Sequence, residues 1–195
     1  MTEKATMQAL AALVPQGSRV LDLGCGDGAM LDYLQRTRGC SGYGVEIDDA
    51  NVLACVRRGA NVVQLNLDEG LALFEDNSFD MVLQIDTLPH LRNAEVMLRE
   101  TARVGRAGVV AFPNFAHWPN RLSVLRGRMP VTRRLTYQWY HTPNIRVGTY
   151  KDFEVLAHKN QLRILDAFGL QDGEVVRWLP NARAGTAVFH FERAA

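Results

Sequence analysis

The chain has 195 residues, of which 47% are hydrophobic, and its 22 Lys and Arg nearly balance its 21 Asp and Glu to give a formal net charge of +1. That length and apolar content suffice to bury an ordinary core, which argues against disorder and predicts a single domain over residues 1–195. The three cysteines show no CxxC pairing and the five histidines no metal-ligand spacing, so we expect free thiols, a cytoplasmic location and no metal site.

From the N-terminus to residue 113, the sequence alternates between predicted strands and predicted helices. The apolar run at 9–14 is too short to cross a membrane and predicts a helix on the surface of the domain. Strands are predicted at 19–23, 42–47, 62–65, 79–83 and 107–112, and helices around 30–34, at 50–58 and at 94–104. A helix at 151–159 and strands at 163–168 and 186–191 follow. This alternation is typical of parallel βαβ units in a doubly wound sheet.

The turn between the first predicted strand and its helix is rich in glycine. Its backbone can therefore approach a ligand closely, and the N-terminus of the following helix points at that ligand. Two ligand classes use such a turn. Gly24, Gly26 and Ala29, followed by Glu46, match the fingerprint of dinucleotide-binding proteins. Asp22, Gly24, Gly26 and Gly28 match the D-x-G-x-G-x-G pattern of S-adenosylmethionine-dependent methyltransferases.

The acidic side chains of the turn distinguish these two ligand classes. A pyrophosphate would lie beside Asp22 and Asp27, and a like-charge contact of this kind costs roughly 1 kcal/mol or more. S-adenosylmethionine has no phosphate, and its ammonium and sulfonium groups suit an acidic turn. The sequence therefore favours S-adenosylmethionine or S-adenosylhomocysteine as the ligand, with Cys25 interpreted as a small packing residue between the glycines.

Further ligand contacts are expected at the carboxyl ends of the next strands, where the ligands of such sheets lie. Glu46 is placed to accept both ribose hydroxyls, and Ile47 to cover one adenine face. Asn66 and Leu67 follow the third strand and are candidates for the adenine edge and ring. Gln84 ends the fourth strand and is a candidate for the methionine moiety. For Asn66 and Gln84, capping a turn is an equal alternative.

The alternation stops after Pro113, where residues 113–148 form a Pro-, Arg- and aromatic-rich stretch that we call the inserted segment. A loop this long inside a compact domain is usually functional. Residues 101–151 contain nine Lys and Arg and no Asp or Glu, whereas residues 1–100 contain 15 acidic and eight basic residues. Because Arg and aromatic residues are enriched in interface cores, the segment is a candidate partner or substrate surface. Its candidate residues are Trp118, Arg121, Arg133, Arg134, Trp139 and Tyr140.

Longer motifs in the chain resemble those of the MetW family of methionine biosynthesis proteins. These are FPNFAHW at 112–118 and WYHTPNI at 139–145, together with DLGCGDG at 22–28 and GYGVEID at 42–48. The resemblance implies an α/β, Rossmann-like class I methyltransferase fold, in which a seven-stranded, mostly parallel sheet has its last strand antiparallel and helices on both faces. It also implies that the chain acts with the homoserine O-acyltransferase MetX as a protein partner.

Three functions remain open from the sequence. The first is a module that binds S-adenosylmethionine or S-adenosylhomocysteine and docks on MetX as its partner or regulator. The second is an active small-molecule methyltransferase whose inserted segment closes over the acceptor. The third, an RNA methyltransferase, is disfavoured because the near-neutral net charge and the acidic first half weaken binding to phosphates. Asp86 is interpreted as a solvated loop aspartate rather than a general base, so no catalytic residue is assigned.

Overall fold

The structure is a computed structural model that describes residues 2–194, with side chains from Lys4 onwards. Its strands are β1 (Arg19–Leu23), β2 (Ser41–Glu46), β3 (Val62–Gln64), β4 (Phe79–Ile85), β5 (Gly105–Pro113), β6 (Leu162–Gln171), β7 (Glu174–Val176) and β8 (Thr186–Arg193). Its α-helices are α1 (Thr2–Ala11), α2 (Ala29–Arg38), α3 (Asp49–Arg58), α4 (Ala94–Val104), α5 (Trp118–Leu125), α6 (Tyr150–Lys159) and α7 (Pro180–Arg183). Short 3₁₀ helices cover Leu67–Glu69 and Leu88–His90.

The strands form one mixed sheet in the order β3-β2-β1-β4-β5-β8-β6-β7. Strands β1 to β5 are paired in parallel, whereas β8 runs antiparallel to both of its neighbours, β5 and β6. The chain therefore crosses from one half of the sheet to the other beside β1, which lies between β2 and β4. A ligand of such a sheet is expected at the carboxyl end of β1, where the glycine-rich turn lies.

Two apolar layers cover the two faces of the sheet, because side chains alternate along each strand. On one face, Leu21 and Val82 pack with the buried residues of α4 and α6. On the other face, Val20 and Met81 pack with Leu10 of α1 and with the buried residues of α2. The predicted mostly parallel sheet, with an antiparallel last strand and helices on both faces, is confirmed. The N-terminal apolar run also packs against this second layer as predicted.

The sheet has one strand more than the seven that were expected. The extra strand, β7, pairs antiparallel with the end of β6 through a two-residue turn at Asp172 and Gly173. Both residues have positive φ, 53° and 87°, as the central positions of a type I′ hairpin turn require. An Asp-Gly pair is a strong hairpin signal, so this strand could have been predicted from the sequence.

The inserted segment contains a short helix that the sequence analysis did not assign. This helix, α5, begins at Trp118, and Pro119 occupies an early helical position, where proline is favoured because no backbone N–H is needed there. Most of the rest of the segment is irregular. No helix within residues 2–194 is long and apolar enough to cross a membrane. The same described residues contain no cluster of three or more His, Cys, Asp or Glu side chains able to hold a metal ion.

Candidate functional site

The glycine-rich turn follows β1, and its backbone adopts a left-handed conformation that residues with a side chain rarely adopt. Gly24 and Gly26 have φ of 73° and 56°. A Cβ on Gly24 would lie 2.6 Å from Thr87 Oγ1, so Gly24 allows the turn to pack against the chain beyond β4. A Cβ on Gly26 would meet no atom within 4 Å. Gly26 therefore borders open space, where a ligand can approach the backbone.

The carboxylate of Glu46 connects this turn to the end of β2. Its Oε2 accepts the Gly26 N–H at 2.9 Å, and its Oε1 accepts the N–H groups of Ile47 at 2.8 Å and Asp48 at 3.0 Å. A carboxylate has about four acceptor positions, so one remains available. Glu46 therefore stabilises the turn, and its one free acceptor position makes it a candidate for one ribose hydroxyl. Accepting both ribose hydroxyls would require it to give up a hydrogen bond to the backbone.

Asp22 carries the most perturbed carboxyl group of the site. Its side chain is 2% exposed, and no described residue donates a hydrogen bond to it. Burial, and secondly the negative charge of Glu46, raise its pKa to about 7. A buried carboxylate without a partner is unfavourable in the ligand-free protein, and a cation placed beside it relieves that cost.

Two cysteine thiols pack beneath the turn. Cys25 Sγ lies 3.7 Å from Cys55 Sγ, and the Cys55 thiol donates to the Gly26 carbonyl at 3.1 Å. Burial is the largest cause that raises the pKa of both thiols, and Asp22 raises that of Cys25 further. They are therefore protonated at neutral pH and unsuited to act as nucleophiles, in agreement with a packing role for Cys25.

A cavity of about 610 Å³ extends from the turn to the inserted segment. Asp22, Gly24 and Gly26 line one end, and α1 contributes Met7 and Leu10 to a side wall. The other end is lined by His117, Asn120, Thr132, Arg133 and Arg134 of the inserted segment and by the β6–β7 turn. Sequence reasoning missed His117, Asn120 and Thr132, although the FPNFAHW motif that contains His117 was a signal.

Two arginines of the inserted segment are paired with acids at this end of the cavity. Arg134 Nη2 contacts Asp86 Oδ1 at 2.7 Å and Oδ2 at 2.9 Å, and Arg133 Nη1 contacts Asp172 Oδ1 at 2.7 Å. Asp86 lies in the loop after β4 with its side chain 43% exposed, in agreement with its interpretation as a solvated loop residue, but it also lines the cavity as half of an ion pair, which the sequence did not indicate. Arg133 and Arg134 likewise belong to the cavity rather than to an outer surface alone.

The remaining predicted ligand residues do not line this cavity. Asn66 caps the first 3₁₀ helix by accepting the Asp68 N–H at 3.1 Å, which is its alternative role, and Leu67 is buried in the core. Gln84 is fully buried and donates to Thr101 of α4. Strand alternation explains this, since Gln84 points to the same face as Val82, toward α4. Ile47 is exposed beside Glu46, outside the cavity.

The other predicted residues of the inserted segment lie on its outer side. Trp118, Trp139 and Tyr140 are exposed, and the Arg121 side chain donates to the Ala116 carbonyl. The structure thus divides the six candidate partner or substrate residues into two that line the cavity and four that do not.

We expect Arg134→Glu to lower the free energy of unfolding by no more than about 1 kcal/mol, because its ion pair with Asp86 is partly exposed to solvent. Urea denaturation at neutral pH measures this difference. Arg133→Glu, opposite the more exposed Asp172, is the matched control and should cost less. A loss well above the stated bound for Arg134→Glu would mean that the pair supports the cavity wall rather than merely lining it.

Comparison with known proteins identifies related sequences. The family model described as methionine biosynthesis protein MetW matches residues 4–191. The bifunctional methionine biosynthesis protein MetXA/MetW of Rhodopirellula baltica is 34% identical over 200 residues, which cover 95% of this chain and 32% of that protein. The 2-methyl-6-phytyl-1,4-hydroquinone methyltransferase of Synechocystis is 29% identical, covering 83% of this chain and 49% of that protein. The chain spans between a third and a half of the length of these curated relatives.

Solved structures share the fold at low sequence identity. A S-adenosylmethionine-dependent methyltransferase of Thermotoga maritima has a TM-score of 0.71 at 18% identity, covering 97% of this chain and 87% of that one. A magnesium protoporphyrin IX methyltransferase of Synechocystis with bound S-adenosylhomocysteine has a TM-score of 0.69 at 18% identity, covering 99% and 84%. The predicted Rossmann-like class I methyltransferase fold is therefore confirmed.

Proposed function

Because the chain belongs to the family of methionine biosynthesis protein MetW, we propose that it binds S-adenosylmethionine or S-adenosylhomocysteine and acts with the homoserine O-acyltransferase MetX, as its partner or regulator. The observation that carries the ligand half of this proposal is the Asp22 carboxylate, which is buried at the end of a cavity with no hydrogen-bond donor of its own among the described residues. The ammonium group that both ligands carry supplies the missing donor and charge.

The surrounding residues fit the rest of such a ligand. The open space at Gly26 lets the ligand lie against the backbone of the turn, and Glu46 keeps one acceptor position for a ribose hydroxyl. Ile47 offers an exposed apolar side chain beside that hydroxyl for one face of the adenine. Cys25 and Gly28 support the turn, while Asn66 stays a candidate for the adenine edge and Leu67 for the adenine ring. Gln84 is left out of the proposed site because it is buried against α4.

Titration of the purified chain with S-adenosylhomocysteine in a calorimeter tests the ligand half of the proposal. We expect one binding site, and a weaker affinity when Gly26 is replaced by alanine. Absence of binding by both S-adenosylmethionine and S-adenosylhomocysteine would remove this half and leave the family assignment intact.

The partner half of the proposal is supported by a fusion. One relative is named for both MetXA and MetW, so in that protein the two functions share one polypeptide, and this chain corresponds to about a third of it. Fusion keeps two modules at a high effective concentration, which benefits proteins that act together. Direct titration of this chain with MetX from the same organism tests the association.

We expect S-adenosylhomocysteine to change the affinity of the chain for MetX, because α5 belongs to the inserted segment and also lends Pro119 and Asn120 to the cavity wall. Linkage then requires MetX to change the affinity for the ligand by the same factor, which is typically about 5- to 150-fold for coupled sites. Calorimetry of each pair in the presence and absence of the third component measures both factors. Equal affinities would remove the regulatory role and leave simple docking.

An active small-molecule methyltransferase is the second candidate function, because the cavity continues past the turn to His117. Burial lowers the pKa of His117, so its imidazole is neutral at pH 7 and able to accept a proton from an acceptor hydroxyl, amine or thiol. Incubation with a methyl-labelled donor and metabolites of the homoserine pathway tests this function. Label transfer to none of them would count against it.

A further inference from the structure

The outer face of α5 carries an apolar stripe that stays exposed in the structure. Trp118, Leu122 and Leu125 are spaced four and three residues apart, which puts them on one face of the helix. Their exposed fractions are 58%, 37% and 84%. Asn120 on the opposite face and Pro119 on the flank line the cavity. The apolar side chains of this stripe therefore point away from the site and are not part of the core. Exposed apolar patches of this kind mark interaction sites. We call these three residues the α5 face.

Basic side chains without acidic partners surround the α5 face. Among the nine Lys and Arg of residues 101–151, Arg103, Arg106, Arg133 and Arg134 form ion pairs with acids. Arg121, Arg126 and Arg128, in and just after α5, form none with any described residue. Arg126 and Arg128 also line an open groove together with Met129 and Trp139. An apolar centre with a rim of guanidinium groups that have no acidic partner has the composition of a protein interface.

We propose that the α5 face and its basic rim form the surface that docks on the acyltransferase, which presents there an apolar patch edged by carboxylates. This inference rests on the proposed function and specifies its partner surface. Charge complementarity favours an acidic partner over a second copy of this chain, because a symmetric contact through α5 would bring the guanidinium groups of both copies together. The relative that is named for both MetXA and MetW makes MetX the partner to test for such a patch.

The test compares matched variants of the full chain by calorimetry against MetX at about 0.15 M salt. We expect Leu125→Glu to weaken binding by at least about 30-fold, because it places a charge at the centre of the interface. The control is Leu73→Glu, an equally drastic change at a leucine that is 69% exposed in the loop between β3 and β4. The double variant Arg126→Glu/Arg128→Glu should weaken binding about tenfold and remove most of its dependence on salt. Its control is the single reversal Arg57→Glu in α3.

Each outcome separates this inference from the function on which it rests. Variants at α5 should still bind S-adenosylhomocysteine, since their side chains lie outside the cavity, and this readout also verifies that they fold. Full MetX affinity in Leu125→Glu and in the double variant would overturn the proposed surface while the partnership stands. No binding of MetX by the unaltered chain would overturn both the partnership and the surface. If Leu125→Glu instead abolished self-association, the α5 face would be a contact between copies of this chain, which also overturns the inference.

Discussion

Replacing Asp22 with asparagine is expected to stabilise the ligand-free protein at neutral and alkaline pH while weakening its binding of S-adenosylhomocysteine. The pKa of Asp22 is raised from 3.8 to about 7, chiefly by burial. Between these two values the folded protein holds a proton that the unfolded chain has released, so the free energy of unfolding falls as pH rises through this window. Because asparagine cannot ionise, the free energy of unfolding of the variant should not fall in this way as pH rises. Above pH 7 the gain is on the order of 4 kcal/mol.

Urea denaturation of both proteins at a series of pH values measures this difference. The matched control is Asp32→Asn, because Asp32 is also an aspartate next to the turn but forms a salt bridge with Arg36 one turn away on α2. That substitution should cost only about 0.3–0.5 kcal/mol, the usual value for a helical pair. If Asp22→Asn kept the pH dependence of the unaltered protein across the window, the unpartnered carboxyl group would not be its cause.

The binding half of the same prediction follows from the ligand's charge. An ammonium group beside Asp22 favours the carboxylate, so binding near pH 6 should release a proton from this residue. Calorimetry in buffers with different ionisation enthalpies detects that proton. In Asp22→Asn the proton release should disappear, and the affinity should fall by at least about tenfold, as expected for the loss of a charged hydrogen bond worth about 1.5–3 kcal/mol. A variant that gains stability and loses affinity has the trade-off typical of a binding residue.

Much of the sheet was predictable because its signals are local. The alternation of apolar runs and helical patterns identified seven strands, and the turn from Asp22 to Gly28 was found from its own residues. The missed strand β7 also had a local signal, the Asp172–Gly173 turn, and α5 had one in Pro119. Both elements could therefore have been predicted, because their turn and helix-start signals are present in the sequence.

The cavity was less predictable because its walls come from distant parts of the chain. Arg134 and Asp86 are 48 residues apart, and nothing in either neighbourhood indicates that they form an ion pair. Gln84 failed as a candidate for a different reason. A strand end directs successive side chains to opposite faces, and a shift of one residue decides whether a side chain reaches the ligand or the core. Sequence patterns locate the end of a strand less accurately than that.

Alanine at Gly24 and at Gly26 should separate the two functions of the glycine turn. Both positions have positive φ, so either alanine costs about 1–2 kcal/mol of stability through the backbone alone. At Gly24 the new methyl group would also lie 2.6 Å from Thr87 Oγ1, which donates to the Leu23 carbonyl at 2.6 Å and is held in place. We therefore expect Gly24→Ala to lower the free energy of unfolding by about 3 kcal/mol or more.

The expected result for Gly26→Ala is different, because its methyl group would enter open space. That variant should keep most of its stability and lose affinity for S-adenosylhomocysteine by at least about tenfold, since the methyl group occupies the volume that the ligand fills. Thermal denaturation and calorimetry on the same preparations measure both quantities.

A double-mutant cycle identifies the contact responsible for the loss at Gly24. The double variant Gly24→Ala/Thr87→Ala removes the hydroxyl that the new methyl group meets, and it should recover about 1 kcal/mol or more relative to the sum of the two single changes. No such recovery would mean that backbone strain alone explains the loss at Gly24.

If Gly26→Ala bound S-adenosylhomocysteine as tightly as the unaltered chain, the ligand would not lie against this backbone. The glycines would then serve only to let the turn pass between β1 and α2.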